Sequence, residues 1–257
     1  MELSDKKVVL VERNEKVVYQ DGNRVVKAFV PSKPASDVFN EAVNVARVVE
    51  AGVRAPKVLE VSQTADGGWA LSTEYIPGTT LRKKMDEAKD DAEMRALLEK
   101  FVDLQVEVQN TSAPGLLNSQ RAKFKQMVDK DKEIDPTSRY ELEMRADQMT
   151  GHKFICHGDF NPSNVILGDD GQTYVCDWAH VTRGLPEADA AMTYILFKMY
   201  HADQAELYLD LYSEKADMPK QKIMYWVPVV AAAELARGRK DSEEMLKSFV
   251  EATNDYE

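Results

Sequence analysis

The chain has 257 residues, 44% of them apolar and 30% charged, enough for a large core in one large domain or two lobes. A net charge of −11 argues against a nucleic-acid partner, because phosphate contacts need basic surface. No apolar run reaches 18 residues and the start MELSDKKVVLVERNEK lacks an apolar signal core, so no membrane span is expected and a cytoplasmic protein is the default.

The first 76 residues read as a sheet and one helix. Val8–Val11 and Lys16–Tyr19 are β-rich runs separated by Arg13-Asn14-Glu15. Asp21-Gly22 marks a tight hairpin turn into a third strand, Arg24–Phe29. Pro31 and Pro34 break the pattern, and Ser36 or Asp37 is placed to cap a helix over about 37–51. Val38, Ala42, Val45, Ala46 and Val49 recur at helical spacing, and Gly52 ends the helix. Val58–Val61 and Trp69–Ile76 are two further strands, joined around Asp66-Gly67-Gly68.

Pro77-Gly78 follows at once and is the expected link between an N-terminal lobe, 1–76, and a C-terminal lobe, 77–257. Beyond it, Leu97, Leu98, Phe101, Leu104 and Val108 line one face of a helix over about 90–110. Helical stretches are expected near 119–131 and 137–149, strands at 153–156, 164–167 and 173–177, and mostly helix from about 187 to the end. Charge is uneven: residues 1–76 carry a net −1 and the remainder −10. An acidic second half could attract a cationic small molecule, but a solvated acidic surface on the helices is the preferred reading. Cys156 and Cys176 are too few for a disulfide framework and form no CxxC pair; both are expected to be buried free thiols.

The chemistry concentrates in HGDFNPSN, residues 157–164, between two apolar runs. Asp159 and Asn164 are five apart, and Asp177 lies thirteen further on, at the end of the run from Thr173. A turn over Gly168–Gly171 makes a hairpin that returns Asp177 beside Asn164. A carboxylate, an amide oxygen and a second carboxylate suit phosphoryl transfer. Asp177 and Asn164 offer oxygen ligands to Mg²⁺, a hard ion that shares its sphere with phosphates and water. Asp159 is the candidate to orient an attacking hydroxyl and accept its proton. His157 is placed to anchor the loop through a hydrogen bond to backbone.

These spacings resemble the kinase catalytic loop H-x-D-x-x-x-x-N followed by a metal-binding Asp. With Gly158 between His157 and Asp159, the form resembles the aminoglycoside phosphotransferase / choline kinase family. Gly184, Pro186, Asp189 and Ala191 resemble that family's G-D-P-x-x-D-L-A segment, with Leu185 in place of the usual Asp. The resemblance implies an α+β, protein-kinase-like two-lobe fold, with an antiparallel sheet in the N-lobe and a mostly helical C-lobe. It implies ATP and Mg²⁺ as cofactors, Lys27 on the third strand as the phosphate-binding lysine, and Glu41 as the helical residue that holds it, with Glu50 a weaker candidate. It also implies a hinge in which the Glu74 carbonyl and the Ile76 N–H contact adenine, and Asp189 as a brace for the backbone of the catalytic loop.

One part of the pattern is missing. The first turn, Val11 to Lys16, has no glycine, whereas a phosphate-cradling loop relies on close backbone N–H groups. That favours, as an alternative, a nucleotide-binding pseudokinase or scaffold. An atypical protein kinase is the other competitor. Gly158 stands where protein kinases carry an arginine, and Leu185-Pro186-Glu187 begins only eight residues after Asp177, which leaves little room for an activation loop. ATP-dependent phosphorylation of a hydroxyl on a small molecule is therefore the favoured reading, with an aminoglycoside, a choline-like amino alcohol or a sugar as acceptor.

Overall fold

Short β-branched runs joined by tight turns dominate the start of the chain, and longer apolar periodicities the rest. The computed structural model describes residues 1–130, 134–151 and 153–252. In chain order the elements are β1 (Val8–Arg13), β2 (Lys16–Asp21), β3 (Arg24–Phe29), α1 (Ala35–Glu50), β4 (Val58–Gln63), β5 (Trp69–Glu74), β6 (Gly78–Thr80) and α2 (Leu81–Asp86). Then come α3 (Asp91–Gln109), α4 (Gln120–Lys130), α5 (Pro136–Asp147), β7 (Phe154–Cys156), β8 (Val165–Gly168), β9 (Thr173–Val175) and β10 (Thr182–Gly184). Helices α6 (Pro186–Tyr200), α7 (Ala202–Lys215), α8 (Lys220–Met224), α9 (Val227–Ala236) and α10 (Glu243–Glu251) complete the chain. Residue 131, the last of the helix expected over 119–131, and the tail beyond 252 lie outside the described residues.

Residues 1–83 and 163–180 form one compact unit, and 84–162 with 181–257 the other. The 163–180 segment, which the sequence reading placed in the C-terminal lobe, thus groups with the N-terminal strands. The reason is β6, which pairs with β8, while β8 pairs with β9. Gly78 makes this close approach possible: at φ +153° it has no side chain, and a Cβ there would meet the Leu167 carbonyl oxygen at 2.2 Å.

In the first unit, β1 to β5 make an antiparallel sheet in the order β1-β2-β3-β5-β4. Period-two alternation puts Phe29 and Leu71 on one face, where α1 covers them with Val38 and Ala42, flanked by Val58, Val61 and Trp69. Burial of such side chains stabilises by about 1.5–3 kcal/mol each before entropy is counted. Helix α1 begins earlier than expected. Pro34 occupies its N-cap position, so Ser36 and Asp37 sit inside the first turn and no side chain caps the helix. The Asp37 carboxylate still complements the helix dipole there.

In the second unit, α3 buries Leu98, Phe101, Val102, Leu104 and Val108. Its Phe101 ring meets Phe160, Phe197 and Tyr208 at centroid distances of 4.8, 5.6 and 6.1 Å. Helix α9, VPVVAAAELA, is apolar on nearly every side and accordingly buried, with α4, α5, α6 and α10 packed against it. Strands β7 and β10 pair antiparallel. Among the described residues, no helix is long and apolar enough to cross a membrane.

Candidate functional site

Lys27 projects from β3 on the face that α1 covers, and α1 presents Glu41 to it. The Lys27 ammonium lies 2.5 Å from Glu41 Oε1 and 2.8 Å from Asp177 Oδ1. The helical partner of Lys27 is therefore Glu41 rather than Glu50. Burial by itself would drag the Lys27 pKa down, but the carboxylates of Asp177 and Glu41 outweigh it and hold the ammonium above the ordinary lysine value.

Asp177 follows β9 and adopts φ +65°, a left-handed conformation that costs a non-glycine residue about 1–2 kcal/mol. The next residue explains how it is held. Trp178 is fully buried, its indole N–H donates to the Val175 carbonyl at 2.9 Å, and its 3₁₀ turn packs against α1. The β8–β9 hairpin forms as its glycine turn suggests, and the Cys176 N–H donates to the Asn164 carbonyl at 2.9 Å, which brings Asn164 alongside the Asp177 segment. Glu74 ends β5 and is tied to Lys57 by hydrogen bonds at 2.9 and 3.1 Å. Ile76 lies between β5 and β6, half-buried. Lys27, Glu41, Glu74, Ile76, Asn164 and Asp177 all belong to the first unit.

His157, Asp159 and Asp189 belong to the second unit. His157 is fully buried, and its Nδ1 accepts from the Asp159 N–H at 3.2 Å, so the ring anchors the loop through backbone. Asp189, in the first turn of α6, accepts from the Gly158 N–H at 2.8 Å, the His157 N–H at 3.2 Å and the Gln109 amide at 2.9 Å. Burial pushes the Asp189 carboxyl above its usual range, against the pull of these donors. Gly158 sits at φ +74°, where a side chain would be strained, and this lets the loop reverse between His157 and Asp159.

Several residues around these groups carry no motif. Asn161 donates to the Asp159 carbonyl at 3.0 Å and to its Oδ1 at 3.3 Å. The Tyr212 hydroxyl donates to Gln109 Oε1 at 2.6 Å, which extends the brace behind Asp189 into α7. Glu234, fully buried in α9, pairs with Arg237 at 2.5 Å and Arg239 at 3.0 Å. Lys123 on α4 is half-buried, and its amine is pushed down to about 7, first by burial and then by Arg237, while Glu234, Asp189 and Asp159 pull it back. Asn161 lies two residues from Asp159 and Glu234 three before Arg237, but Gln109, Tyr212 and Lys123 meet their partners by tertiary contact alone, so no spacing announced them. Neither cysteine is in a disulfide; Cys156 is buried as expected, but Cys176 is only half-buried because it sits at the open end of the β8–β9 hairpin.

Among the described residues, no three His, Cys, Asp or Glu side chains gather into a metal cage. One carboxylate and one amide oxygen are nonetheless the donor set that Mg²⁺ takes when phosphates and water complete its sphere. Asp177 and Asn164 are residues of that type, and the Lys27 ammonium lies beside Asp177.

Residues 12–222 match the sequence profile of the phosphotransferase enzyme family (APH). Among solved structures, a thermostable mutant of aminoglycoside phosphotransferase APH(4)-Ia, in ternary complex with ADP and hygromycin B, is similar at TM-score 0.71 and 15% identity, over 98% of this chain and 94% of that one. A choline/ethanolamine kinase family protein from Mesorhizobium loti is similar at TM-score 0.64 and 14% identity, over 97% and 86%. Aminoglycoside phosphotransferase APH(3'')-Id from Streptomyces rimosus, in complex with ADP and streptomycin, is similar at TM-score 0.62 and 17% identity, over 84% and 90%. No curated protein sequence matches the chain. The fold is α+β and protein-kinase-like, with an antiparallel N-terminal sheet and a helical C-terminal part. With the profile matched over most of its length, this chain belongs to the phosphotransferase enzyme family.

Proposed function

We propose that the protein transfers the γ-phosphate of ATP to a hydroxyl of a small molecule. The observation that carries this reading is the Lys27 ammonium held between Glu41 and Asp177, at 2.5 and 2.8 Å. A lysine fixed by a helical glutamate binds the α/β-phosphates, and an adjacent carboxylate takes the metal. Bound Mg²⁺–ATP supplies the phosphoryl group and the charge neutralisation. Asp177 and Asn164 hold the metal, and the Glu74 carbonyl and Ile76 N–H read the base. Asp159, positioned by His157, Asn161 and the Asp189 brace, orients the acceptor hydroxyl and accepts its proton. The neighbours' complexes with ADP and with hygromycin B or streptomycin support a nucleotide and a small hydroxylated acceptor. The acidic second half favours a cationic acceptor, whether aminoglycoside, amino alcohol or aminated sugar.

An ATP-consumption screen over hydroxylated amines, sugars and aminoglycosides tests the reading. At least one acceptor is expected to stimulate ADP release from the parent. Lys27→Ala is expected to abolish that stimulation, measured well below the variant's own thermal midpoint, since it also leaves Glu41 and Asp177 without their shared cation. Stimulated turnover unchanged in Lys27→Ala contradicts the assignment. Nucleotide binding without turnover on any acceptor favours the non-catalytic alternative, which the glycine-free first turn suggests.

A further inference from the structure

The first hairpin solves the phosphate problem in an unusual way. Arg13 pairs with Lys16 across the β1–β2 ladder, so only Asn14 and Glu15 form the turn. The turn is also tied down: the Glu15 carbonyl accepts from the Val30 N–H at 3.1 Å, and its carboxylate faces Lys33 at 3.4 Å. Two non-glycine residues fastened to the segment after β3 make a poor backbone cradle for phosphate.

The register puts a side chain where the cradle is missing. Val18 lies opposite Lys27 in the β2–β3 ladder, and cross-strand partners share a face. Lys16 is two residues before Val18, so it shares that face too. The two lysines accordingly meet one carboxylate from two sides. Lys16 Nζ lies 3.5 Å from Asp177 Oδ2, and Lys27 Nζ lies 2.8 Å from Oδ1. Their situations differ. Lys27 keeps Glu41 as a second partner, whereas Asp177 is the only ion-pair partner of Lys16 among the described residues. The Lys16 side chain is also more exposed than that of Lys27, 24% against 16%.

We propose that Lys16 is a second phosphate-binding lysine, whose side-chain ammonium holds the β/γ-phosphates that amides of a glycine loop would otherwise hold. This rests on the nucleotide reading above. A metal held by the Asp177 oxygens would take the counter-charge of Lys16, and the phosphates would offer it another. Lys27 stays in place because Glu41 retains it. The exchange is of one ion pair for another, with no covalent step.

Dissociation constants for Mg²⁺–ATP, Mg²⁺–ADP and adenosine, measured by calorimetry on the parent, Lys16→Met and Lys16→Arg, test the proposal. Lys16→Met is expected to weaken ATP and ADP about 10- to 100-fold, the scale of a charge-assisted hydrogen bond. Adenosine affinity is expected to stay at the parent value, and Lys16→Arg to restore most of the loss. Unchanged ATP affinity in Lys16→Met overturns the proposal. So does tighter ATP binding, which would make Lys16 a plug on Asp177, and so does an equal loss for adenosine, which would make it structural. A parent that binds adenosine but not Mg²⁺–ATP overturns the phosphotransfer reading itself, whereas a parent that binds both and a Lys16→Met that matches it overturns this inference alone.

Discussion

Single residues carry the chemistry here because each is over-determined by its neighbours. Asp177 tolerates φ +65° because Trp178 is sunk in the unit behind it and its indole is tied to Val175. Lys123 shows the opposite balance. Its amine is pushed down to about 7 by burial and by Arg237, although Glu234, Asp189 and Asp159 pull it back. A folded pKa below the unfolded one means the unfolded chain binds more protons between the two values. Lys123 therefore contributes stability above about pH 10.5, its unfolded value, and that contribution is lost as pH falls through about 7. Parent stability is expected to rise from pH 7 to 10 by an increment that Lys123→Met lacks, measured by urea unfolding at each pH. Identical pH profiles for the two proteins would remove this account of Lys123.

At the scale of elements, the loop of residues 157–164 is held from behind. The Asp189 carboxylate, at the start of α6, accepts the His157 and Gly158 N–H groups and the Gln109 amide from α3, and Tyr212 of α7 holds Gln109 in turn. Asp189→Ala removes the acceptor of the buried His157 N–H and the half-buried Gly158 N–H and leaves the Gln109 amide only its 3.4 Å contact with the Pro186 carbonyl, and a loss of about 1–3 kcal/mol is expected. A urea-midpoint shift equivalent to less than about 0.5 kcal/mol, the size of an ordinary surface change, would show that the brace is not structural. The loop itself was legible in the sequence. His157, Asp159, Asn164 and Asp177 sit at spacings that one loop and one hairpin impose, and those survive as pattern. The sheet was legible because five runs alternate between turn residues. Strands β6 and β10 were not, since Gly78-Thr79-Thr80 and Thr182-Arg183-Gly184 carry no apolar run, unlike the equally short β7 and β9. Lys16, Gln109 and Tyr212 were not either, because strand register or helix packing alone brings them to their partners, whereas Asn161 stands in the loop itself, two residues from Asp159. The missing glycine was visible from the start, but the ammonium beside Asp177 appears only once Val18 is known to face Lys27.

Over the whole molecule, the candidate groups divide between the two units: the lysine–glutamate–aspartate set and Asn164 in one, Asp159 and its supports in the other. The phosphotransfer reading assigns them different partners, the metal-nucleotide and the acceptor. The net charge is −11, with nearly all the excess after residue 76. The division of labour is the central claim, and one comparison tests it most directly. Mg²⁺–ATP is titrated into Asp159→Asn and Asp177→Ala, and single-turnover transfer to the acceptor found by screening is then timed. Asp159→Asn is expected to bind Mg²⁺–ATP as the parent does and to transfer phosphate about 10²–10⁴-fold more slowly, less if the transition state is loose. Asp177→Ala is expected to lose metal-dependent binding and transfer together. Parent-rate transfer in both variants, or loss of metal-nucleotide binding in Asp159→Asn with retention in Asp177→Ala, would contradict the account.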